Sequence, residues 1–181
     1  LIAPFCLRDV YEKFVNRVEG GRMKYLLVDA NGIGFAAQDG KKLYVGGKEV
    51  QATFGFVRSM RKILQKYPDH KPILLWDSRA QWRFDLFPLY KGNRNVDEKR
   101  IAEKEAYHAQ KPDIEKAMKL LGVDQIVTDG AEADDLAAFF SQRFKKVSGN
   151  EIVLITSDKD WCQLVDTNVS WYCPRTDRHC N

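Results

Sequence analysis

No apolar run in the 181 residues approaches the ~20 needed to cross a bilayer. The opening stretch, Leu1 to Cys6, is too short for a secretion signal and lacks its basic lead-in. Membrane insertion and secretion are therefore unsupported. Cysteine is scarce: Cys6, Cys162, Cys173 and Cys180, with no Cys-x-x-Cys pair. His70, His108 and His179 lie far apart. A zinc site of ordinary spacing is not visible. Four thiols in a chain this long point to a reduced, cytoplasmic protein rather than a disulfide scaffold. Internal repeats, low-complexity tracts and linkers are also missing, so the chain reads as one unit.

What is present suits a folded, soluble domain. Hydrophobic residues reach 44% and aromatics 12%, enough for a sizeable core, and 30% charged residues cover its surface, which excludes a disordered or fibrous chain. The net charge of +4 is too mild to imply a polyanionic partner. Its distribution says more. From Arg79 to Lys104 seven bases face four acids; from Glu132 to Asp166 seven acids face four bases. A basic middle beside an acidic later segment fits a polyanion held against a metal cluster, and equally fits two solvated faces.

Leu7, Val10, Phe14 and Val18 recur at helical spacing and predict a lead-in helix over 1–22, with residues 23–181 forming the main domain. Lys24–Ala30 (KYLLVDA) and Pro72–Asp77 (PILLWD) are unbroken apolar runs, as expected of strands buried on both faces of a parallel sheet. Gln125–Asp129, Glu151–Asp158 and Val169–Cys173 complete five predicted strands. Asn31-Gly32 predicts a turn, and residues 39–49 a loop or hairpin. Helices are expected over Val50–Tyr67, from Pro112 as first helical residue to Leu121, over Glu132–Lys145 and over Lys159–Val165. Val96–Lys111 is charged and rich in helix formers. Alternating strands and helices imply an α/β fold with right-handed crossovers.

Three predicted strands end in aspartate: Asp29, Asp77 and Asp158, with Asp160 two residues later. Glu132, Asp134 and Asp135 open the helix after the third strand. Ligands of open α/β sheets bind beyond the carboxyl ends of the strands, so these seven carboxylates can converge. Such a set repels itself unless cations sit within it. All-oxygen ligands suit Mg²⁺ or Mn²⁺, and carboxylate-held Mg²⁺ suggests chemistry on a phosphate. Each acid alone also fits a strand-end turn or a first helical turn, where the helix dipole favours anions. Trp82, Arg83, Tyr90, Lys91 and Arg94 mix rings with cations, a composition suited to phosphates and bases and equally to a solvated loop.

LLVDANG, LLWDS, WRFDLFPLYKGNR, GAEADDLAA and TSDKDWCQL stand in the order found in 5′-nucleases. The chain resembles that family over about Met23 to Cys173, most closely the phage 5′→3′ exonucleases and the 5′-nuclease domain of bacterial DNA polymerase I. The resemblance implies a PIN-like three-layer fold, with a central parallel five-stranded sheet, flanking helices and a helical arch over about 79–111. It implies two divalent ions, Mg²⁺ or Mn²⁺. Asp29, Asp77, Glu132 and Asp134 correspond to ligands of the first, Asp135 to a further acidic position, and Asp158 and Asp160 to ligands of the second. Lys91, Arg94 and Arg83 correspond to groups that engage the scissile phosphate; Tyr90, Arg100 and Lys104 join Lys91 and Arg94 as nucleic-acid contacts. The implied partner is DNA with a 5′ end or flap, or an RNA primer in a hybrid, taken by a monomer.

The chain opens on Leu rather than Met and lacks the family's downstream Asp-x-x-Gly-Asp motif. The expectation is a C-terminal truncation without the helix-hairpin-helix-like region, with one ion bound firmly. Two rival readings are a PIN-type ribonuclease and a non-catalytic DNA-binding fragment.

Overall fold

The computed structural model describes residues 22–90 and 97–181. The expected lead-in helix, Cys6, Lys91 and Arg94 lie outside the described residues. In chain order the elements are β1 (Lys24–Asp29), α1 (Ala30–Gln38), β2 (Tyr44–Val45), β3 (Lys48–Glu49), α2 (Gln51–Lys66), β4 (Lys71–Trp76), α3 (Gln81–Leu86), α4 (Glu98–Leu120), β5 (Asp124–Val127), α5 (Ala133–Phe144), β6 (Glu151–Ile155), a 3-10 helix (Lys159–Leu164), β7 (Val169–Cys173) and β8 (Arg178–Cys180). The main sheet runs β5-β4-β1-β6-β7-β8. Its first five strands are parallel, and β8 alone pairs antiparallel, on β7.

Period-two alternation along β1 divides the core into two layers. Tyr25 and Leu27 join Ile73, Leu75, Ile152 and Leu154 beneath Leu136, Phe140 and Phe144 of α5. Leu26 and Val28 join Leu74, Trp76 and Ile155 beneath Phe56, Met60 and Ile63 of α2 and Tyr107, Ile114 and Met118 of α4. The result is a helix–sheet–helix sandwich. Tyr25 stacks on Phe144 with ring centroids 4.0 Å apart, closing the first layer.

Four features differ from the sequence expectation. The Asn31-Gly32 pair lies inside α1 rather than in a turn. Asp29 caps that helix, its Oδ1 accepting the Gly32 N–H at 2.7 Å. Next, Pro112 does not start a helix; α4 runs through it. An internal proline costs about 3 kcal/mol. Tyr107, Ile114 and Met118 are fully buried on one face of α4. Each large apolar side chain so buried contributes about 1.5–3 kcal/mol, so packing outweighs the proline. A sixth strand, β8, was not expected: all three of its residues are exposed, so pairing rather than burial holds it and no apolar pattern marks it. Lastly, the segment expected as a helix over Lys159–Val165 is a 3-10 helix. The possible hairpin within 39–49 is β2–β3, turning through Gly46 and Gly47 at φ of 57° and 77°, the left-handed pair a two-residue turn demands.

The start of α2 has no cap from its own N-cap residue, Val50. Gln110 of α4 supplies one from across the core. Its Oε1 accepts the N–H groups of Ala52 and Thr53 at 3.0 and 3.2 Å, and its Nε2 donates to Gln38 Oε1 at 3.0 Å. Gln110→Ala should cost about 2 kcal/mol, because buried donors lose their acceptor. Urea unfolding checks this; a midpoint unchanged from the parent would show that water replaces the amide.

Candidate metal and nucleic-acid site

The carboxylates stand at or beyond the carboxyl ends of the neighbouring strands β4, β1 and β6 and at the start of α5. Asp29 ends β1, and Asp77 directly follows β4. Glu132 is the N-cap of α5, with Asp134 and Asp135 in its first turn. Asp158 caps the 3-10 helix that holds Asp160.

Among the described residues, each of these carboxylates except Asp160 has a donor that fixes its pose. Asp29 takes the Thr156 hydroxyl on Oδ2 at 2.8 Å, in addition to the Gly32 amide. Asp77 takes the Ala133 N–H on Oδ1 at 2.7 Å and the Asn31 amide Nδ2 on Oδ2 at 2.9 Å. Asp134 Oδ1 accepts from the Trp161 indole at 2.7 Å. Asp135 Oδ2 accepts the Glu132 N–H at 3.0 Å, closing the first turn of α5. Asp158 Oδ1 accepts the Asp160 N–H at 2.9 Å. The Asp160 carboxylate itself is exposed.

Electrostatics links five of these acids, Asp29, Asp77, Glu132, Asp134 and Asp158. Burial pushes the Asp29 carboxyl up to about 6, against the lowering effect of its hydrogen bonds, and the charges of Asp77 and Asp134 add to the rise. Desolvation likewise raises Asp134, with Asp158, Asp77 and Glu132 pushing the same way and the Trp161 bond opposing. Negative charge is thus under-compensated along the edge. The donor set is oxygen throughout, the chemistry of a hard divalent cation. Among the described residues, no three His, Cys, Asp or Glu side chains are gathered tightly enough to hold a cation as they stand.

Part of the charge is met from the protein itself. Arg83 of α3 pairs with Glu132 through Nη1 and with Asp135 through Nη2, the latter at 2.6 Å. Tyr90 donates to Glu132 Oε2 at 2.8 Å, and Arg83 Nη1 donates to the Tyr90 hydroxyl at 3.0 Å. Arg83, expected near a phosphate, and Tyr90, expected as a nucleic-acid contact, therefore both lie at the carboxylates. Arg100 and Lys104 are exposed on the first half of α4, roughly two turns and one turn before the buried Tyr107.

The sequence reading missed four supporting residues: Asn31, Thr156, Trp161 and Tyr107. The first three sit inside or beside the aspartate motifs, and that adjacency was their only signal. It also missed a groove of about 640 Å³ that reaches Gly32 and Ser157 and carries Lys41, Lys42, Arg58, Lys62 and Arg175. Its cations come from three separate segments, the loop after α1, helix α2 and the loop after β7, so no single charge run announces them.

Among the described residues, no helix is long and apolar enough to cross a membrane. The profile of the 5′-3′ exonuclease N-terminal, resolvase-like domain matches residues 24–180. The chain is 33% identical over 111 residues to flap endonuclease Xni of Aliivibrio fischeri (strain MJ11), covering 60% of this chain and 40% of that protein. It is 34% identical over 137 residues to DNA polymerase I of Treponema pallidum, covering 70% of this chain and 13% of that protein. It thus spans well under half of either relative. In fold it is similar to the T5 D15 protein co-crystallized with metal ions, with a TM-score of 0.68 at 23% identity, over 86% of this chain and 56% of that one.

Proposed function

The chain belongs to the family of the 5′-3′ exonuclease N-terminal, resolvase-like domain, and on that premise we propose that it is a divalent-metal-dependent 5′→3′ exonuclease and structure-specific 5′-flap endonuclease. Its substrate is DNA with a 5′ end or flap, or the RNA strand of an RNA–DNA hybrid. The observation that supports this most is the mutual influence of Asp29, Asp77, Glu132, Asp134 and Asp158 beyond the carboxyl ends of parallel strands. The names of the relatives agree: one is a flap endonuclease, and the T5 protein was crystallized with metal ions.

In this reading Asp29, Asp77, Glu132 and Asp134 would hold a first ion, Mg²⁺ or Mn²⁺, firmly once they draw together around it. Asp158 and Asp160, with Asp134 or Asp135, would hold a second more weakly. When bound, the cation supplies a Lewis acid that favours attack of water on phosphorus and offsets developing charge. The protein's own groups do the rest. Arg83 is a bidentate donor matched to a phosphate and stands against Glu132 and Asp135. Lys91 and Arg94 are assigned to the leaving side of the scissile phosphate. Tyr90 offers a ring to a base, and Arg100 and Lys104 hold phosphates of a strand passing the arch. The basic groove beside Gly32 and Ser157 takes the duplex backbone. We further propose a monomer in the cytoplasm.

The test is cleavage of a 5′-labelled flap duplex, compared with blunt duplex and with single-stranded RNA of the same sequence. Short 5′ products should appear from the flap with Mg²⁺ and vanish with EDTA. Preferential RNA cleavage would assign a PIN-type ribonuclease. Binding that ignores EDTA, without cleavage, would leave only a DNA-binding module.

A further inference from the structure

Asp77 is exposed at the sheet edge, yet both of its oxygens are held. The Ala133 N–H fixes Oδ1 as α5 begins. The second oxygen depends on a relay from another layer. Asn31 Nδ2 donates to Asp77 Oδ2 at 2.9 Å, and Asn31 Oδ1 in turn accepts from the Tyr107 hydroxyl at 2.9 Å. The polarity follows from chemistry alone. A carboxylate only accepts, so Asn31 must turn its amide nitrogen to Asp77 and its oxygen to Tyr107, which must donate.

Tyr107 is built in rather than resting there. It is fully buried in α4. Its ring lies against the backbone of α1, where a Cβ on Gly34 would come within 2.3 Å of Tyr107 Cε2. Phe35 packs beside it at a centroid distance of 4.4 Å. Asn31 is itself only 8% exposed. A buried ring on the helix of the expected arch therefore aims the side chain that aims Asp77.

We propose that Tyr107 and Asn31 are positioning residues for the Asp77 carboxylate, coupling helix α4 to the cation-binding edge. This rests on the reading of Asp77 as a cation ligand. Partners of this kind that orient a ligand without touching the ion typically change metal affinity by ~10–100-fold. Tyr107→Phe keeps the ring and its packing while removing only the donor. Asn31→Ala removes the middle of the relay.

Mn²⁺ titration calorimetry on the parent, Tyr107→Phe, Asn31→Ala, the double variant and Asp77→Asn tests it. Urea unfolding without metal is run on each. Tyr107→Phe and Asn31→Ala should each weaken Mn²⁺ binding by ~10-fold or more. The double variant should bind no more weakly than Asn31→Ala, because the two act in series. A purely structural role would lower the urea midpoint and leave Mn²⁺ affinity unchanged, which overturns the proposal. Additive losses would also overturn it, by showing that Tyr107 does not act through Asn31. Asp77→Asn separates this from the reading beneath it. Weakened binding for Asp77→Asn but not for Tyr107→Phe rejects the relay alone. Unchanged binding for Asp77→Asn removes the cation role of Asp77, and the relay with it.

Discussion

Asp134→Asn should lower Mg²⁺-dependent flap cleavage by ~10²–10³-fold, the scale set by removing one preorganised electrostatic group from a site where charge develops. The reason lies in how Asp134 is held. The buried Trp161 indole donates to Oδ1 at 2.7 Å, so a cation would be met by the other oxygen. Asparagine keeps the shape and can keep the indole bond through its own oxygen. It then presents an NH₂ group where a carboxylate oxygen stood, and an NH₂ group cannot bind a cation. The neighbours Asp158, Asp77 and Glu132 lose a like charge, so the metal-free fold should not suffer. The same substitution should shrink the Mg²⁺-induced rise in melting temperature, because a ligand at 100 times its dissociation constant adds about 2.7 kcal/mol only while it binds. Parallel flap assays and thermal melts with and without Mg²⁺ check both. Full activity with an unaltered thermal rise would remove Asp134 from the cation site.

The parallel sheet was legible because its strands are apolar on both faces. Leu26, Leu27, Val28, Ile73, Leu74 and Leu75 are all fully buried, so KYLLVDA and PILLWD carry the sheet in their composition. The aspartates were legible for a related reason. A charged group at the end of an apolar run either meets a partner or costs free energy. Asp29 and Asp77 meet partners: the Gly32 amide and Thr156 for one, Ala133 and Asn31 for the other.

Apart from the local Gly32 amide, the partners themselves were not legible, since each comes from elsewhere in the chain. Thr156 reaches Asp29 across 127 positions, and Tyr107 reaches Asn31 across 76. Helix α1 was hidden by Gly32 and Gly34, whose low helix propensity argues for a turn. Their lack of a Cβ is what the fold uses. A Cβ on Gly32 would fall 2.3 Å from Asp29 Oδ2. Local sequence shows the glycines, but only the packed structure shows what approaches them. Pro112 is the same case in reverse, a local breaker overruled by the face that α4 buries.

Gly34 sets the two effects directly against each other. By helix propensity alone, Gly34→Ala should stabilise α1 by about 1 kcal/mol. By packing it should destabilise, because the new Cβ would lie 2.3 Å from Tyr107 Cε2 and 2.5 Å from Cζ and the hydroxyl oxygen. The ring is fully buried and cannot swing into solvent. Overpacking a filled core costs about 1–3 kcal/mol and sometimes more. Packing should therefore win: Gly34→Ala should lose about 1–2 kcal/mol net, and Gly34→Val about 3 kcal/mol or more, since its branches add bulk and β-branched residues fit helices poorly. Urea unfolding should report this as a lower midpoint at constant slope. Tyr107→Phe should not rescue Gly34→Ala, because the ring carbons remain in the way. Tyr107→Leu should recover part of the loss, and a double-mutant cycle would measure that coupling. A Gly34→Ala protein as stable as its parent would mean that α1 and α4 move apart at little cost, and that the close approach at Tyr107 is not a constraint on the fold.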